Sequence, residues 1–189
     1  MEAAIGSFAV APIVSEYDAI VYDLDGTLVD LAVDWNAVAI DVIAVYARAA
    51  ADPPSENLWE LLEAASNFEI APAVEETIAD HEREGARRSR RLARADELLE
   101  RSVPVGVCSL NCEAACRIAL DEHALESAVD AVVGRDTVET RKPDPEPLLE
   151  TVRGLDAEPA TTLFVGDTDR DRRTARRAGV DFEYVEPLE

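Results

Sequence analysis

Short apolar runs, each stopping at an acid, a hydroxyl or a glycine and each followed by a helical stretch, are what most narrows the fold of this 189-residue chain. Tyr17 to Leu24 is such a run: it is β-branched and apolar, ends in acidic residues and Gly26, and reads as a buried strand feeding a loop. Val103 to Cys108, Ala128 to Val133, Thr161 to Val165 and Phe182 to Val185 repeat the pattern. Between them, Cys112 to Leu120, Glu146 to Val152 and Arg170 to Ala178 read as helices. An apolar strand with no polar face needs cover on both sides, and the alternating helices supply it. The expected fold class is therefore α/β, a Rossmann-like parallel sheet with helices on both faces.

From about Leu31 to Arg101 the rhythm breaks into three helical segments with no convincing strand. Asp34 is placed to cap the first, which runs to about Ala51 and is stopped by Pro53-Pro54. Ser55 is expected to cap the second, with Leu58, Leu61 and Leu62 on one face. Pro72 suits the start of a third, continuing through Ala86 towards Leu99. This gives a small all-helical cap at residues 31–101, inserted after the first strand of a core formed by 1–30 and 102–189.

In an open α/β sheet, ligands bind beyond the carboxyl ends of the strands. The polar residues of this chain fall there. Asp23-Leu24-Asp25-Gly26-Thr27-Leu28 follows the first run and Ser109 the second; Lys142-Pro143-Asp144-Pro145 precedes the helix before the fourth, and Gly166 to Asp171 follows the fourth. Singly, each has an ordinary explanation: Asp-x-Asp-Gly is a common turn, and Gly-Asp after a strand is often a helix start. Together, each after its own strand, they suit phosphoryl transfer, which needs a nucleophile in line with the leaving oxygen and positive charge on the equatorial oxygens. Gly26 lets the chain turn there. Asp23 is the candidate nucleophile. Asp25, carrying a proton, can give it to the departing alkoxide and later take one from water, work worth about 10² to 10⁴-fold in rate. Carboxylates crowded in one pocket repel one another, and a divalent cation resolves this. Magnesium, which prefers hard oxygen ligands, is expected on Asp23, the backbone carbonyl of Asp25, and Asp167. Asp171, one helical turn beyond Asp167, is expected to orient the metal waters or Lys142. Lys142 is the only lysine among 18 basic residues. A compact ammonium suits a crowded phosphate-metal site better than a planar fork.

Four motifs in this order, D-x-D-G-T-L at Asp23 to Leu28, Ser109, K-P-x-P-x-P at Lys142 to Pro147 and G-D-x-x-x-D at Gly166 to Asp171, resemble the haloacid dehalogenase superfamily in its phosphatase branch, which includes phosphoglycolate phosphatases. The match continues into Ala175 and Ala178-Gly179. It covers the strand-helix core, and the insert only by its position, that of the family's cap. The resemblance implies a magnesium-dependent phosphatase that hydrolyses a small phosphorylated metabolite through an aspartyl-phosphate. Asp23, Asp25 and Lys142 would be catalytic, Thr27, Ser109 and Asn111 would bind the phosphoryl group, and Asp23, Asp25 and Asp167 would hold the metal. Asp25 argues against dehalogenase chemistry, where the family lacks this acid. A sugar phosphomutase shares all four motifs and is the rival reading. A non-catalytic phosphate-binding protein is a third, against which the carboxylates at 23, 25 and 167 speak. Leu31 stands where many relatives have Ser.

Other features have plainer explanations. Cys108, Cys112 and Cys116 recur every four residues, a helix-face spacing rather than a zinc or disulfide pattern, and read as small buried residues in a reducing compartment. His81 and His123 read as solvated surface. Arg87, Arg88, Arg90, Arg91 and Arg94 read as a face paired with Glu82, Glu84, Asp96 and Glu97, or alternatively as binders of a distal anionic group of the substrate. The run from Arg170 to Arg177 has the same paired reading. Trp35 and Trp59 read as packing residues of the cap, with Trp35 close enough to the first motif to face the pocket.

The chain has 40 acidic against 18 basic residues, a net charge of -22 that opposes binding to nucleic acid or an anionic membrane. Met1 to Ser15 lacks a basic start, no apolar run approaches a bilayer span, and a cytoplasmic monomer or homodimer is expected. So acidic and lysine-poor a composition resembles that of proteins from salt-loving organisms. At molar salt the Debye length is only about 3 Å, and self-repulsion of the surface is largely screened. The melting temperature is therefore expected to fall as potassium chloride is lowered from molar to millimolar. A melting curve that does not move with salt would contradict this.

Overall fold

The first apolar run forms a strand, β1 (Ala19–Tyr22), in which every residue is buried. Ile20 and Tyr22 face one apolar cluster and Ala19 and Val21 another, the period-two alternation of a strand covered on both sides. The computed structural model describes residues 16–185. Met1 to Ser15, read above for a leader, lie outside the described residues. Beyond β1 the elements are β2 (Val29–Asp30), α1 (Trp35–Arg48), α2 (Leu58–Ala64), α3 (Ala71–Arg87), β3 (Arg90–Arg91), α4 (Arg94–Leu99), β4 (Val105–Cys108), α5 (Glu113–Glu122), β5 (Ala131–Val133), α6 (Glu146–Gly154), β6 (Thr162–Gly166), α7 (Asp169–Ala178) and β7 (Asp181–Tyr184).

Five strands form one parallel sheet in the order β5-β4-β1-β6-β7, with β1 at its centre. In register, Tyr22 lies opposite Val107 of β4 and Val165 of β6. The chain therefore leaves β1, β4 and β6 at the same edge of the sheet. One face packs on α5 through Ala115, Cys116, Ala119 and Leu120, with Ala95 and Leu98 of α4 in the same cluster. The other packs on α6 and α7 through Leu148, Val152 and Ala175. The α/β fold with a helical cap after the first strand is what the sequence predicts.

The cap has its own apolar cluster. Val38, Val42 and Val45 of α1, spaced for one helix face, meet Leu61 and Leu62 of α2 and Val74 and Ile78 of α3. Buried Tyr46 donates its hydroxyl proton to the Leu61 carbonyl at 2.5 Å. Asp34 caps α1 as expected, accepting from the backbone of Asn36 and Ala37. The cap of α2 is corrected: Asn57, not Ser55, accepts from Trp59 and Glu60, while the Ser55 hydroxyl accepts from the Asn57 amide and so builds the turn before it.

A second correction concerns the end of the insert. The third helix stops at Arg87, and the chain then pairs as β3 antiparallel to β2, Val29 opposite Arg91 and Asp30 opposite Arg90. The Ser89 hydroxyl and amide both bond back to the Ala86 carbonyl, which closes the helix, and α4 is a separate element. The segments that enter and leave the cap thus lie side by side. Among the described residues, no helix is long and apolar enough to cross a membrane.

Candidate active site

The loop after β1 turns at Gly26, where φ is +81°, a backbone region glycine enters without strain. A side chain there would meet a second obstacle, since a β-carbon would lie 2.3 Å from Asp167 Oδ2. The turn after β1 therefore touches the tip of β6. Asp23 leads this turn, 7% exposed, its amide donating to the Val165 carbonyl at 2.8 Å.

Lys142 comes from the loop between β5 and α6 and is buried. Its ammonium group donates to Asp23 Oδ1 at 2.8 Å, to Asp171 Oδ1 at 2.6 Å and to the Cys108 carbonyl at 3.1 Å. Burial alone would lower its pKa, but the charges of Asp23 and Asp171 outweigh that and hold it above the usual lysine value. Asp171 sits in the first turn of α7, and its other oxygen accepts from the Thr168 amide and hydroxyl in a capping box.

Asp25 is held by the Leu31 amide, which donates to its Oδ1 at 2.8 Å. Burial pushes its pKa up to about 6, against the lowering effect of that bond. Burial likewise pushes Asp23 up to about 7, with Lys142 opposing and Asp171 and Asp167 adding to the rise. Asp167 is raised by burial and then by Asp171.

Asp23, Asp25, Ser109, Asn111, Lys142, Asp167 and Asp171 line one cleft of about 180 Å³. Trp35 and Trp59 line it from the cap. Ser109 begins the loop after β4; its hydroxyl donates to Asn111 Oδ1 at 3.0 Å and accepts from the Asn111 amide. Thr27 is not brought to the cleft. It is fully buried, its amide donates to Leu24, and its hydroxyl has no partner among the described residues.

Carboxylate oxygens of Asp23, Asp167 and Asp171 lie within 4.8 Å of one another. These are hard donors, the first two raised in pKa by burial and then by neighbouring carboxylates, and they fit a divalent cation of the magnesium type. Asp171, expected to orient Lys142 or metal waters, contacts Lys142 directly and also stands within this carboxylate group.

Sequence reasoning missed a second buried network. Glu82 of α3 is fully buried against Arg135, which follows β5; the two guanidinium contacts are 2.5 and 3.1 Å. Arg135 also reaches Glu75 of the cap and the Leu110 carbonyl, while Glu82 accepts from the Cys112 amide and from the Asn111 side chain at 3.4 Å. The expected pairing of Glu82 with the cap arginines is corrected. Arg87 and Arg88 pair with Glu84, Arg90 with Asp30, Arg91 with Asp96, and Arg94 with Glu97 and Glu183. None of these arginines lines the cleft. Both histidines have partners, His81 with Asp41 and His123 with the Ser89 hydroxyl.

A family model described as haloacid dehalogenase-like hydrolase matches residues 20–185. The phosphoglycolate phosphatase of Rhodospirillum rubrum is 39% identical over 89 residues, which cover 47% of this chain and 37% of that protein. The first relative is thus spanned over little more than a third of its length. The phosphoglycolate phosphatase of Cereibacter sphaeroides is 29% identical over 190 residues, covering 86% of this chain and 82% of the relative. Among solved structures, a subfamily IA hydrolase of the same superfamily from Geobacter sulfurreducens has a TM-score of 0.60 at 26% identity, covering 88% of each chain.

Replacing Glu82 by alanine leaves Arg135 with a single carboxylate partner and strips the Cys112 amide of its acceptor. A loss of about 3–5 kcal/mol is expected, read as a fall of roughly 10 °C in melting temperature. Joint replacement by Glu82→Met and Arg135→Leu should recover most of it. An E82A protein that melts with the wild type would contradict the account.

Proposed function

Because the chain belongs to the haloacid dehalogenase-like hydrolases, we propose that it is a phosphoric monoester hydrolase acting on small phosphate monoesters through an aspartyl-phosphate, with magnesium as its metal. One observation carries the reading: Asp23 stands in a single cleft with a fixed ammonium, carboxylates close enough together to share a cation, and a second, half-buried acid.

The reaction follows from what these side chains can do. Lys142 holds Asp23 through Oδ1, while Oδ2 accepts no hydrogen bond among the described residues; on this reading Oδ2 attacks phosphorus. As the bond from phosphorus to the alcohol oxygen breaks, Asp25 gives its proton to that oxygen; its raised pKa keeps the proton available near neutral pH. Asp25, now a carboxylate, takes a proton from water, and the water oxygen attacks the aspartyl-phosphate, releasing inorganic phosphate and restoring Asp23. Ser109 and Asn111 line the same cleft; on this reading the Ser109 hydroxyl turns from Asn111 Oδ1 to donate to a phosphoryl oxygen, beside the remaining amide N–H of Asn111. Magnesium, when held by Asp23, Asp167 and the Asp25 carbonyl, would supply the positive charge that lets a phosphate dianion approach a carboxylate.

The division into a cap at 31–101 and a core at 1–30 and 102–189 belongs to the same reading, with the cap covering the leaving-group side. So does a cytoplasmic location. Cys108, Cys112 and Cys116 are free and buried, and burial pushes the first two thiols up to about 12, which suits inert residues of a reducing compartment.

Asp23→Asn preserves an oxygen acceptor for Lys142, so the fold should hold while phosphate release from p-nitrophenyl phosphate drops by about a thousandfold or more. Substantial turnover by D23N would remove the nucleophile assignment. Chelation of divalent cations should abolish activity and added magnesium restore it; full activity in metal-free buffer would remove the metal from the reading.

A further inference from the structure

Many arginines of this acidic chain are tied to carboxylates, as Arg83 is to Glu76 and Asp80 and Arg153 to Glu146 and Glu150. Arg170 is different. It lines the cleft beside Asp167 and Asp171, yet among the described residues it has no ion pair. Its neighbours on α7, Arg172 and Arg173, both turn to Asp169. Arg170 instead lies over the ring of Trp59, 5.4 Å from the centroid.

Stacking occupies the face of a guanidinium and leaves the N–H donors at its edge free. Lys142, the other cation of the cleft, has already given its donors to Asp23, Asp171 and the Cys108 carbonyl. Among the described residues, Arg170 is thus the one cation lining the cleft that still has donors to offer. A planar fork of donors matches a carboxylate or phosphate group. Trp59 belongs to α2, so this contact ties the guanidinium to a cap helix while it lines the cleft.

We propose that Arg170 is a specificity-determining residue that binds a second anionic group on the alcohol portion of the substrate, so that the enzyme prefers short phosphate monoesters with an anionic tail. The identity of the scissile group rests on the phosphatase reading; the tail preference does not depend on turnover.

Both tryptophans of the chain line the cleft, so intrinsic fluorescence reports its occupancy. In a D23N background with magnesium present, 2-phosphoglycolate and 2-hydroxyethyl phosphate are titrated; they match in length and differ in the charge of the tail. The carboxylated ester should bind about tenfold tighter or more, and Arg170→Gln should bring the ratio close to one. Arg170→Lys, which keeps the charge and loses the fork, should fall between. A ratio unchanged by R170Q would reduce Arg170 to a contact with Trp59 and overturn the proposal. Equal weakening of both esters would move Arg170 to the phosphoryl group and overturn it as well, as would binding of neither ester. If the phosphatase reading fails instead, the protein with Asp23 intact keeps the tail preference but turns over neither ester.

Discussion

The ammonium of Lys142 is the contact on which the rest of the site depends. Its three acceptors belong to the turn after β1, the end of β4 and the first turn of α7, so one charged group ties three segments of chain together at the sheet edge. A buried cation costs several kcal/mol unless it is paired, and the carboxylates around it would repel each other without it. Each side of the arrangement makes the other tolerable. The acceptors come from separate elements, which a compact ammonium can serve and a flat guanidinium cannot. This accounts for the one departure from arginine in the whole chain.

A second network of buried charge stands behind the first. Arg135 and Glu82 join the loop after β5 to the cap helix α3, and Glu82 reaches the Asn111 amide, which is bonded in turn to Ser109. The loop that carries Ser109 into the cleft is therefore held from the core by β4 and from the cap by Glu82. The paired strands β2 and β3 add a second join, because both connections to the cap run through one short ribbon. A change in how the cap sits would be felt at Ser109 and Asn111 directly, through hydrogen bonds rather than through a general loosening of packing.

The parts of this architecture legible in the sequence are those with a local cause. Apolar strands, the Asp34 cap and the turn at Gly26 are determined by residues within a few positions of one another, and the motifs at the strand ends could be placed once the strands were seen. What escaped has a distant cause. Arg135 finds Glu82 across 53 positions, so the nearer arginines from Arg87 to Arg94 looked like its partners until the fold placed Glu82 on the buried side of the helix. A two-residue strand such as β3 is too short to show a period. The helix α3 ends where its chain is claimed by β2 and by the Ser89 bonds, a competition invisible in a helical pattern that continues past it. Thr27 shows the converse: the motif is local, yet the turn that sets Asp23 and Asp25 in the cleft draws the threonine out of it.

On the phosphatase reading, a chain with a net charge of -22 must still admit an anionic substrate. In dilute salt, where the Debye length reaches about 30 Å at 0.01 M, much of that charge acts on an approaching phosphate; at molar salt only groups within about 3 Å of surface separation remain unscreened. Long-range steering toward such a protein is unfavourable, and recognition has to come from contacts made inside the cleft. Among the described residues, the cations lining the cleft are Lys142 and Arg170. Lys142 is spent on Asp23 and Asp171, so on the proposed reading the negative charge of the ligand would be met by a divalent cation and by Arg170. High salt would cost such recognition little, since pairs in direct contact within a cleft are screened far less than the exposed acids outside.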